Sequence, residues 1–157
     1  MKITLLTVGK TDVKWVREGL ELYASRLAHY VNFEIQEIPE LKNVSSLSKD
    51  MIKEREGELI LKFLKPGAVL ILLDERGREY RSVEFSRELQ DRMSKDSRDI
   101  VFAVGGAYGF SEEVYSRSES SISLSKMTFS HQMVRTIFAE QLYRAFTIMR
   151  GEPYHHE

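Results

Sequence analysis

Three largely apolar runs, at positions 3–8, 68–73 and 100–104, constrain the fold of this chain more than any other feature. Short apolar runs without regular polar alternation are typical of parallel strands that are covered on both faces. Amphipathic helix patterns lie between these runs and follow the last of them. The alternation predicts one α/β domain over residues 1–157, with a mostly parallel sheet and helices on both faces.

Polar residues mark the expected starts of the helices. Four of them precede amphipathic segments and are expected to cap the helices that follow, since their side chains can accept hydrogen bonds from free helical amides: Asp12, Ser48, Ser82 and Ser111. Residues 74–77, with the sequence Asp-Glu-Arg-Gly, are expected to turn the chain after the second apolar run. The final helix is predicted from about His131 to Met149 because apolar residues recur there at helical spacing.

Composition narrows the functional classes. The chain has no cysteine, which excludes disulfides, thiolate metal sites and cysteine nucleophiles. Its four histidines are not spaced as zinc ligands, so no metal is expected. Net charge is −1, from 23 basic and 24 acidic residues. A nucleic-acid partner would therefore have to meet a local basic patch or a surface assembled by two subunits.

The location expected from the sequence is the cytoplasm. The N-terminal apolar run is too short for a signal peptide and lacks a cleavage site of small residues. No apolar run reaches the length of a membrane span. We therefore expect a cytoplasmic protein that does not associate with membranes.

Ile122 and Leu124 alternate with serines and predict a further strand. Three loops then follow predicted parallel strands, after Leu73, Val104 and Leu124. Ligands of open parallel sheets bind beyond the carboxyl ends of the strands, so these loops are candidate binding segments. The second loop begins with Gly105 and Gly106, which allow a tight turn and a close approach of the backbone to a ligand. Its spacing matches neither the dinucleotide fingerprint nor a phosphate loop. Taken alone, it is an ordinary turn between a strand and a helix.

The third loop, with the sequence LSKMTF, offers two hydroxyl groups and several backbone groups to a purine or a ribose. The alternative is an ordinary loop in which Thr128 or Ser130 caps the last helix. Capping by Ser130 does not exclude ligand binding by the loop backbone.

His131 and Arg135 are expected on one helix face, close to the helix start, where the helix dipole disfavours cations. Arg135 suits a phosphate or a base carbonyl, and His131 can exchange a proton near neutral pH. The alternative is a polar stripe that faces solvent. Tyr154 and His155 end the chain, where residues are usually mobile.

Taken together, the segments VFAVGGAYGF and LSKMTFSHQMVRTIFAEQLYRAFTIMRGEPYH resemble the signature of the ribosomal RNA large subunit methyltransferase H family, which belongs to the SPOUT class. The segments MKITLLTVGK, KEREGELIL and VLILLDERG match as well, so the resemblance covers nearly the whole chain. One departure is Ser130, where members commonly have proline. Both residues suit a helix start.

The resemblance implies a SPOUT fold with a C-terminal trefoil knot, and S-adenosylmethionine bound in the knot. It also implies a homodimer whose active site uses both subunits. The implied substrate is a pseudouridine in a hairpin loop of 23S ribosomal RNA within the assembled 70S ribosome, methylated at N3. Rival interpretations are a SPOUT methyltransferase acting on transfer RNA, a non-catalytic ribosome-binding factor, and a nucleotide-binding regulator.

The family's motif positions imply two sets of site residues in this chain. The cofactor contacts implied by the resemblance are Leu73, Gly105, Leu124, Ser125, Lys126, Met127, Thr128 and Phe129. The implied catalytic residues are His131, Arg135, Tyr154 and His155. Of the second set, Arg135 is expected to stabilise charge on the target base, and either histidine to accept its proton.

Overall fold

A computed structural model describes residues 1–156, in which strands and helices alternate along the chain. In order, the elements are β1 Lys2–Val8, α1 Lys14–Leu27, β2 Asn32–Ile38, α2 Lys49–Phe63, β3 Val69–Glu79, α3 Ser82–Lys95, β4 Ile100–Val104, α4 Glu112–Arg117, β5 Ser120–Ser123 and α5 Met133–Met149. A short 3₁₀ helix, Val44–Ser46, precedes α2.

The five strands form one sheet in the order β2-β1-β4-β3-β5, and every pair in it is parallel. The predicted α/β class is therefore confirmed. β4 lies at the centre, where its residue Phe102 is in register with Leu5 of β1 and Ile71 of β3. The predicted trefoil knot concerns how the chain threads through itself, which strand order does not determine, and it stays a prediction.

Helices cover both faces of the sheet, because side chains along each buried strand alternate between two apolar clusters. Phe102 belongs to the cluster that packs against α1, α3 and α5, and its ring lies 4.7 Å from that of Phe138. Ala103 belongs to the cluster on the opposite face, which packs against α2 and α4 through Ile60 and Val114. Burying a side chain such as Phe102 contributes roughly 1.5–3 kcal/mol.

Two of the four predicted caps are confirmed. Ser48 accepts a hydrogen bond from the Met51 amide at 3.2 Å, and Ser111 accepts one from the Val114 amide at 3.4 Å. The other two predictions are wrong. At both of these helix starts, contacts with residues that are distant in sequence take the place of the expected cap.

Asp12 does not cap α1, because Val13 holds the capping position and its side chain makes no capping bond. The Asp12 amide instead donates to Oε1 of Gln132, 3.1 Å away. Ser82 is the first residue of α3 rather than its cap, and its hydroxyl donates to Gln141 of α5 at 2.9 Å.

The predicted turn at residues 74–77 is also wrong, since β3 continues to Glu79. Pairing with β5 shifts between Leu73 and Arg78, so the four residues between them form a bulge in the strand. A Cβ atom at Gly77 would lie 2.6 Å from the backbone of Ser121, so only glycine fits this close approach.

The last helix begins at Met133, two residues after the predicted start at His131. Ser130 accepts a hydrogen bond from the Met133 amide at 3.0 Å, as expected of a residue that initiates the helix. In the described chain, no helix combines the length and apolarity needed to cross a bilayer.

Candidate functional site

A cavity of about 590 Å³ lies at the carboxyl ends of β3, β4 and β5, where the three candidate loops meet. Seven of the eight residues predicted to bind the cofactor line it: Leu73, Gly105, Leu124, Ser125, Met127, Thr128 and Phe129. Lys126 does not line the cavity, and its Nζ atom is 3.9 Å from Oε1 of Glu79.

The serine-rich sequence gives the third loop its shape. The Ser123 hydroxyl donates to the Ser125 carbonyl at 2.8 Å, and the Ser125 hydroxyl accepts from the Met127 amide at 3.0 Å. Thr128 donates to Glu75, which lies on the β3 bulge across the cavity. These bonds hold the loop in a bent form along the cavity wall and connect it to the bulge.

The glycine turn forms another wall. A Cβ atom at Gly105 would meet the Phe110 ring at 3.3 Å, and Gly109 has a φ of +85°, which favours glycine. The Gly109 amide donates to the Gly106 carbonyl at 3.1 Å and closes the turn. Backbone and aromatic surfaces therefore enclose the space, as suits a flat heterocycle with a polar edge.

Polar residues on the bulge were not predicted as site residues. Asp74 accepts hydrogen bonds from the Arg76 amide, at 2.9 Å, and from the Tyr115 hydroxyl. Arg76 in turn donates to that hydroxyl at 2.8 Å. Burial, followed by the bond to Asp74, raises the pKa of Tyr115. The position of Asp74 directly after a buried strand was an available signal, whereas nothing in the sequence links Tyr115 to the cavity.

Of the predicted catalytic residues, His131 lines the cavity and Arg135 does not. Arg135 is fully buried, at 0% exposure. Its guanidinium donates to four oxygens at 2.8–3.0 Å: the carbonyls of Val8, Gly9 and His131, and the hydroxyl of Thr11. It thereby connects the start of α5 to the end of β1.

This location departs from the expectation that Arg135 faces the target base. Burial lowers the pKa of its guanidinium, and Glu37, 3.8 Å away, opposes that shift. Its direct contact is with the backbone carbonyl of His131, in the turn before α5, rather than along a shared helix face. Arg135 therefore fixes the backbone of the turn that contains His131.

The chain ends in a separate cluster against α1 and α5. Tyr154 donates to Glu140 at 3.0 Å and lies 3.4 Å from the hydroxyl of Tyr23, while Arg144 stacks 4.7 Å over its ring. Nη1 of Arg144 is 3.0 Å from Nδ1 of His155. Burial and the bond to Tyr23 raise the pKa of Tyr154.

One chain therefore brings His131 to the cavity but keeps Tyr154 and His155 outside its lining. The described residues also contain no group of three or more acidic or histidine side chains arranged to hold a metal ion.

Comparisons with known proteins bear on this arrangement. The family described as "Predicted SPOUT methyltransferase" matches residues 1–155. Three relatives named ribosomal RNA large subunit methyltransferase H align over the full length of both chains. Their identities are 55% in Parabacteroides distasonis, 53% in Bacteroides thetaiotaomicron and 52% in Phocaeicola vulgatus.

A solved SpoU methyltransferase, AviRb from Streptomyces viridochromogenes in complex with AdoMet, aligns over 97% of this chain and 58% of its own, at 11% identity. Its TM-score of 0.45 is too low to add to the assignment.

The fold, the strand-end cavity and the family match define the class of this protein, which is a SPOUT methyltransferase. Within that class, the chain belongs to the ribosomal RNA large subunit methyltransferase H family. The resemblance inferred from its motifs is thereby confirmed.

Proposed function

We propose that this protein transfers a methyl group from S-adenosylmethionine to N3 of a pseudouridine in a hairpin loop of 23S ribosomal RNA. The observation that carries the proposal is the identity of 50% or more, over the full length, to relatives named for methylation of large-subunit ribosomal RNA. The acceptor is a pseudouridine within the assembled 70S ribosome, and the reaction takes place in the cytoplasm.

The strand-end cavity is the cofactor site in this proposal. Its backbone walls, at Gly105 and at residues 124–129, suit the adenine edge, and the aromatic ring of Phe110 lies beside them. S-adenosylmethionine supplies an activated methyl group on a sulfonium. The chain's own task is then to orient the acceptor nitrogen, exclude water and remove a proton.

His131 is our first choice for the base, since it is the predicted proton acceptor that lies on the cavity wall. His131 would accept the N3 proton when the methyl group, which the cofactor would supply, is transferred to that nitrogen. Arg135 holds the backbone carbonyl of His131 at 2.9 Å and so fixes the turn that carries the imidazole.

Tyr154 and His155 enter the reaction from the second subunit of a homodimer. The tail is held by Glu140 and Arg144, which lie on the middle and later turns of α5, whereas His131 precedes its first turn. The tail folds back to Glu140, about 10 Å along the axis from the start of α5, and neither Tyr154 nor His155 lines the cavity of its own chain.

Apolar side chains on the outside of the described chain support this assembly. Trp15 is 61% exposed and Leu22 is 47% exposed, and their spacing of seven places both on one face of α1. Met133, at the start of α5, is 40% exposed. We assign this surface, defined by Trp15, Leu22 and Met133, to contact with the second subunit.

The test is methyl transfer from labelled S-adenosylmethionine to ribosomes from a strain that lacks this modification. Protein-free ribosomal RNA and bulk transfer RNA serve as parallel substrates, and ribosomes without the pseudouridine serve as the control. We expect label on 23S ribosomal RNA in intact ribosomes only, and none when pseudouridine is absent. Label on transfer RNA would instead indicate a different SPOUT substrate, and cofactor binding without transfer to any RNA would contradict the catalytic proposal.

A mixing experiment tests the shared active site. A His131→Ala subunit keeps an intact tail, and a Tyr154→Phe subunit keeps an intact cavity. We expect a co-refolded mixture to be more active than either variant alone, because some dimers then combine one intact cavity with one intact tail. Activity no higher than the mean of the two variants would contradict a site built from both subunits.

A further inference from the structure

Helix α2 presents one face to the glycine turn that lines the cavity. The carboxyl group of Glu56 packs against Gly106, where a Cβ atom would lie 2.6 Å from both carboxyl oxygens. The next residue, Gly57, packs under Ser111 and Val114 at the start of α4. Gly106 also lines the cavity. Because Gly106 has no side chain, the Glu56 carboxyl group lies directly behind its backbone.

The Glu56 carboxyl group is poorly solvated. Its Oε1 atom is buried and accepts no hydrogen bond from any residue in the described range 1–156. Burial raises the pKa of Glu56 above its usual value, and the nearby carboxyl group of Glu40 raises it further. Burial without a nearby cation disfavours the charged carboxylate, and a cation beside the group would favour it.

The groups around Glu56 do not supply that positive charge. Glu40, from the segment after β2, is the charged group that acts on it. The start of α4 contributes Ser111 and Val114 to the neighbouring Gly57. On α2 itself, Lys53, one turn earlier, pairs with Asp50 at 3.4 Å, and Lys49, two turns earlier, lies 5.5 Å over the ring of Tyr108. In the proposed function, S-adenosylmethionine is the cation that enters the cavity lined by Gly106, and its positive charge is on the sulfonium.

We propose that Glu56 is a positioning residue that places a negative charge behind the glycine turn, so that the enzyme binds the cationic cofactor more tightly than S-adenosylhomocysteine. This inference rests on the proposed function, in which the cavity holds S-adenosylmethionine. The product carries a neutral thioether in place of the sulfonium, so the attraction is lost once the methyl group has been transferred. Glu56 thereby favours exchange of product for fresh cofactor.

The sign of the pH dependence follows from this arrangement. Burial raises the pKa of the Glu56 carboxyl group above its usual 4.5, and a cation bound beside it would lower that pKa again. Affinity for S-adenosylmethionine should therefore increase as the pH rises through the pKa of Glu56 in the free enzyme. The informative quantity is the difference in this pH dependence between the wild type and a variant at position 56.

Calorimetric titration of the full-length protein tests the proposal, with S-adenosylmethionine and S-adenosylhomocysteine as the two ligands. Glu56→Gln keeps the shape of the side chain and removes its charge. We expect it to weaken cofactor binding on the order of tenfold, as for a charge acting through a few ångströms of protein, and product binding by less than about twofold. It should also flatten the pH dependence for the cofactor alone. Glu58→Gln, an exposed position on the same helix, is the matched control and should match the wild type.

Equal losses for both ligands, with the pH dependence unchanged, would show that Glu56 only packs the turn and would overturn the proposal. Unchanged affinity for both ligands would overturn it as well. Failure of the wild-type protein to bind either ligand would instead contradict the cofactor site itself, so the two failures are distinguishable.

Discussion

The two ends of α5 carry the two halves of the proposed chemistry, and they differ in how they are held. At the N-terminal end, His131 lies on an open cavity wall and its turn is fixed from behind by the buried Arg135. At the C-terminal end, Tyr154 and His155 are themselves enclosed, by Glu140 and Arg144 among others. His131 faces the cavity, whereas Tyr154 and His155 pack against α5.

The difference indicates that cofactor binding and methyl transfer depend on different parts of the chain. Loops at strand ends can assemble a complete cofactor site locally, because parallel strands bring their carboxyl ends to one edge. The tail folds back onto the middle of α5, and in the same chain Tyr154 and His155 do not line the cavity. Binding of the cofactor should therefore depend on one subunit, and methyl transfer on two.

The largest expected effect comes from removing the anchor at the cavity end. Arg135→Ala leaves the carbonyls of Val8, Gly9 and His131 without their buried donor. We expect a loss of about 3–5 kcal/mol in the free energy of unfolding, measured by urea denaturation. Arg144→Ala, on the same helix but partly exposed, should cost much less. An unchanged unfolding free energy for Arg135→Ala would show that this end of α5 is not anchored as described.

The next effect tests the tail. Tyr154→Phe keeps the ring and removes the hydroxyl that bonds to Glu140 and Tyr23. We expect methyl transfer to slow by about 10–100-fold, while affinity for S-adenosylmethionine stays within about twofold. His156→Ala, one of the last residues of the chain, serves as the control. A large loss of cofactor affinity in Tyr154→Phe would break the comparison, since the tail would then support the cavity of its own chain.

A smaller effect is expected at the proposed contact between subunits. Trp15→Glu places a charge in an exposed apolar surface, which should weaken the dimer by at least about tenfold in dissociation constant. Analytical ultracentrifugation measures that shift, and methyl transfer should then depend on protein concentration. Gln90→Glu makes the same change of charge on α3, at an exposed position away from this surface. If both variants stay dimeric, the surface lies elsewhere.

The smallest effect concerns the bond across the cavity. Thr128→Val removes the donor to Glu75, while Glu75→Gln keeps an acceptor at the same place. We expect Thr128→Val to weaken cofactor binding by about threefold to tenfold, the value of one hydrogen bond, and Glu75→Gln to change it little. Equal affinities in the two variants, at the wild-type value, would mean that the loop keeps its bent form through Ser123 and Ser125 alone.

Much of the fold could be predicted from the sequence because buried parallel strands and amphipathic helices follow separate periodicities. The predicted caps failed at Asp12 and Ser82 because both sites contact residues that are distant in sequence: Gln132 accepts from the Asp12 amide, and Gln141 accepts from the Ser82 hydroxyl. The bulge at residues 74–77 was missed because its turn-like composition also suits an irregular strand.

The cavity loops could be predicted because they directly follow strands that the apolar pattern had identified. The location of Arg135 could not be predicted, because a positive charge near a helix start suggests either a ligand or a buried network, and periodicity does not distinguish them. Here the network consists of oxygens at the end of β1, in the segment that follows it and in the turn before α5. The location of Glu56 behind the glycine turn could not be predicted either, because its carboxyl group packs against Gly106, which is 50 residues away in the sequence.

The strand order also has a consequence for how the molecule is made. β4 lies between β1 and β3, both of which precede it in the chain. During synthesis, two strands with long apolar edges are therefore complete before the strand that joins them leaves the ribosome. Pairing between segments that are distant in sequence forms slowly, and until it forms the unpaired strand edges are exposed and prone to aggregation. A nascent chain cut before Ile100 should consequently depend on chaperones to stay in solution, in a way that the finished protein does not.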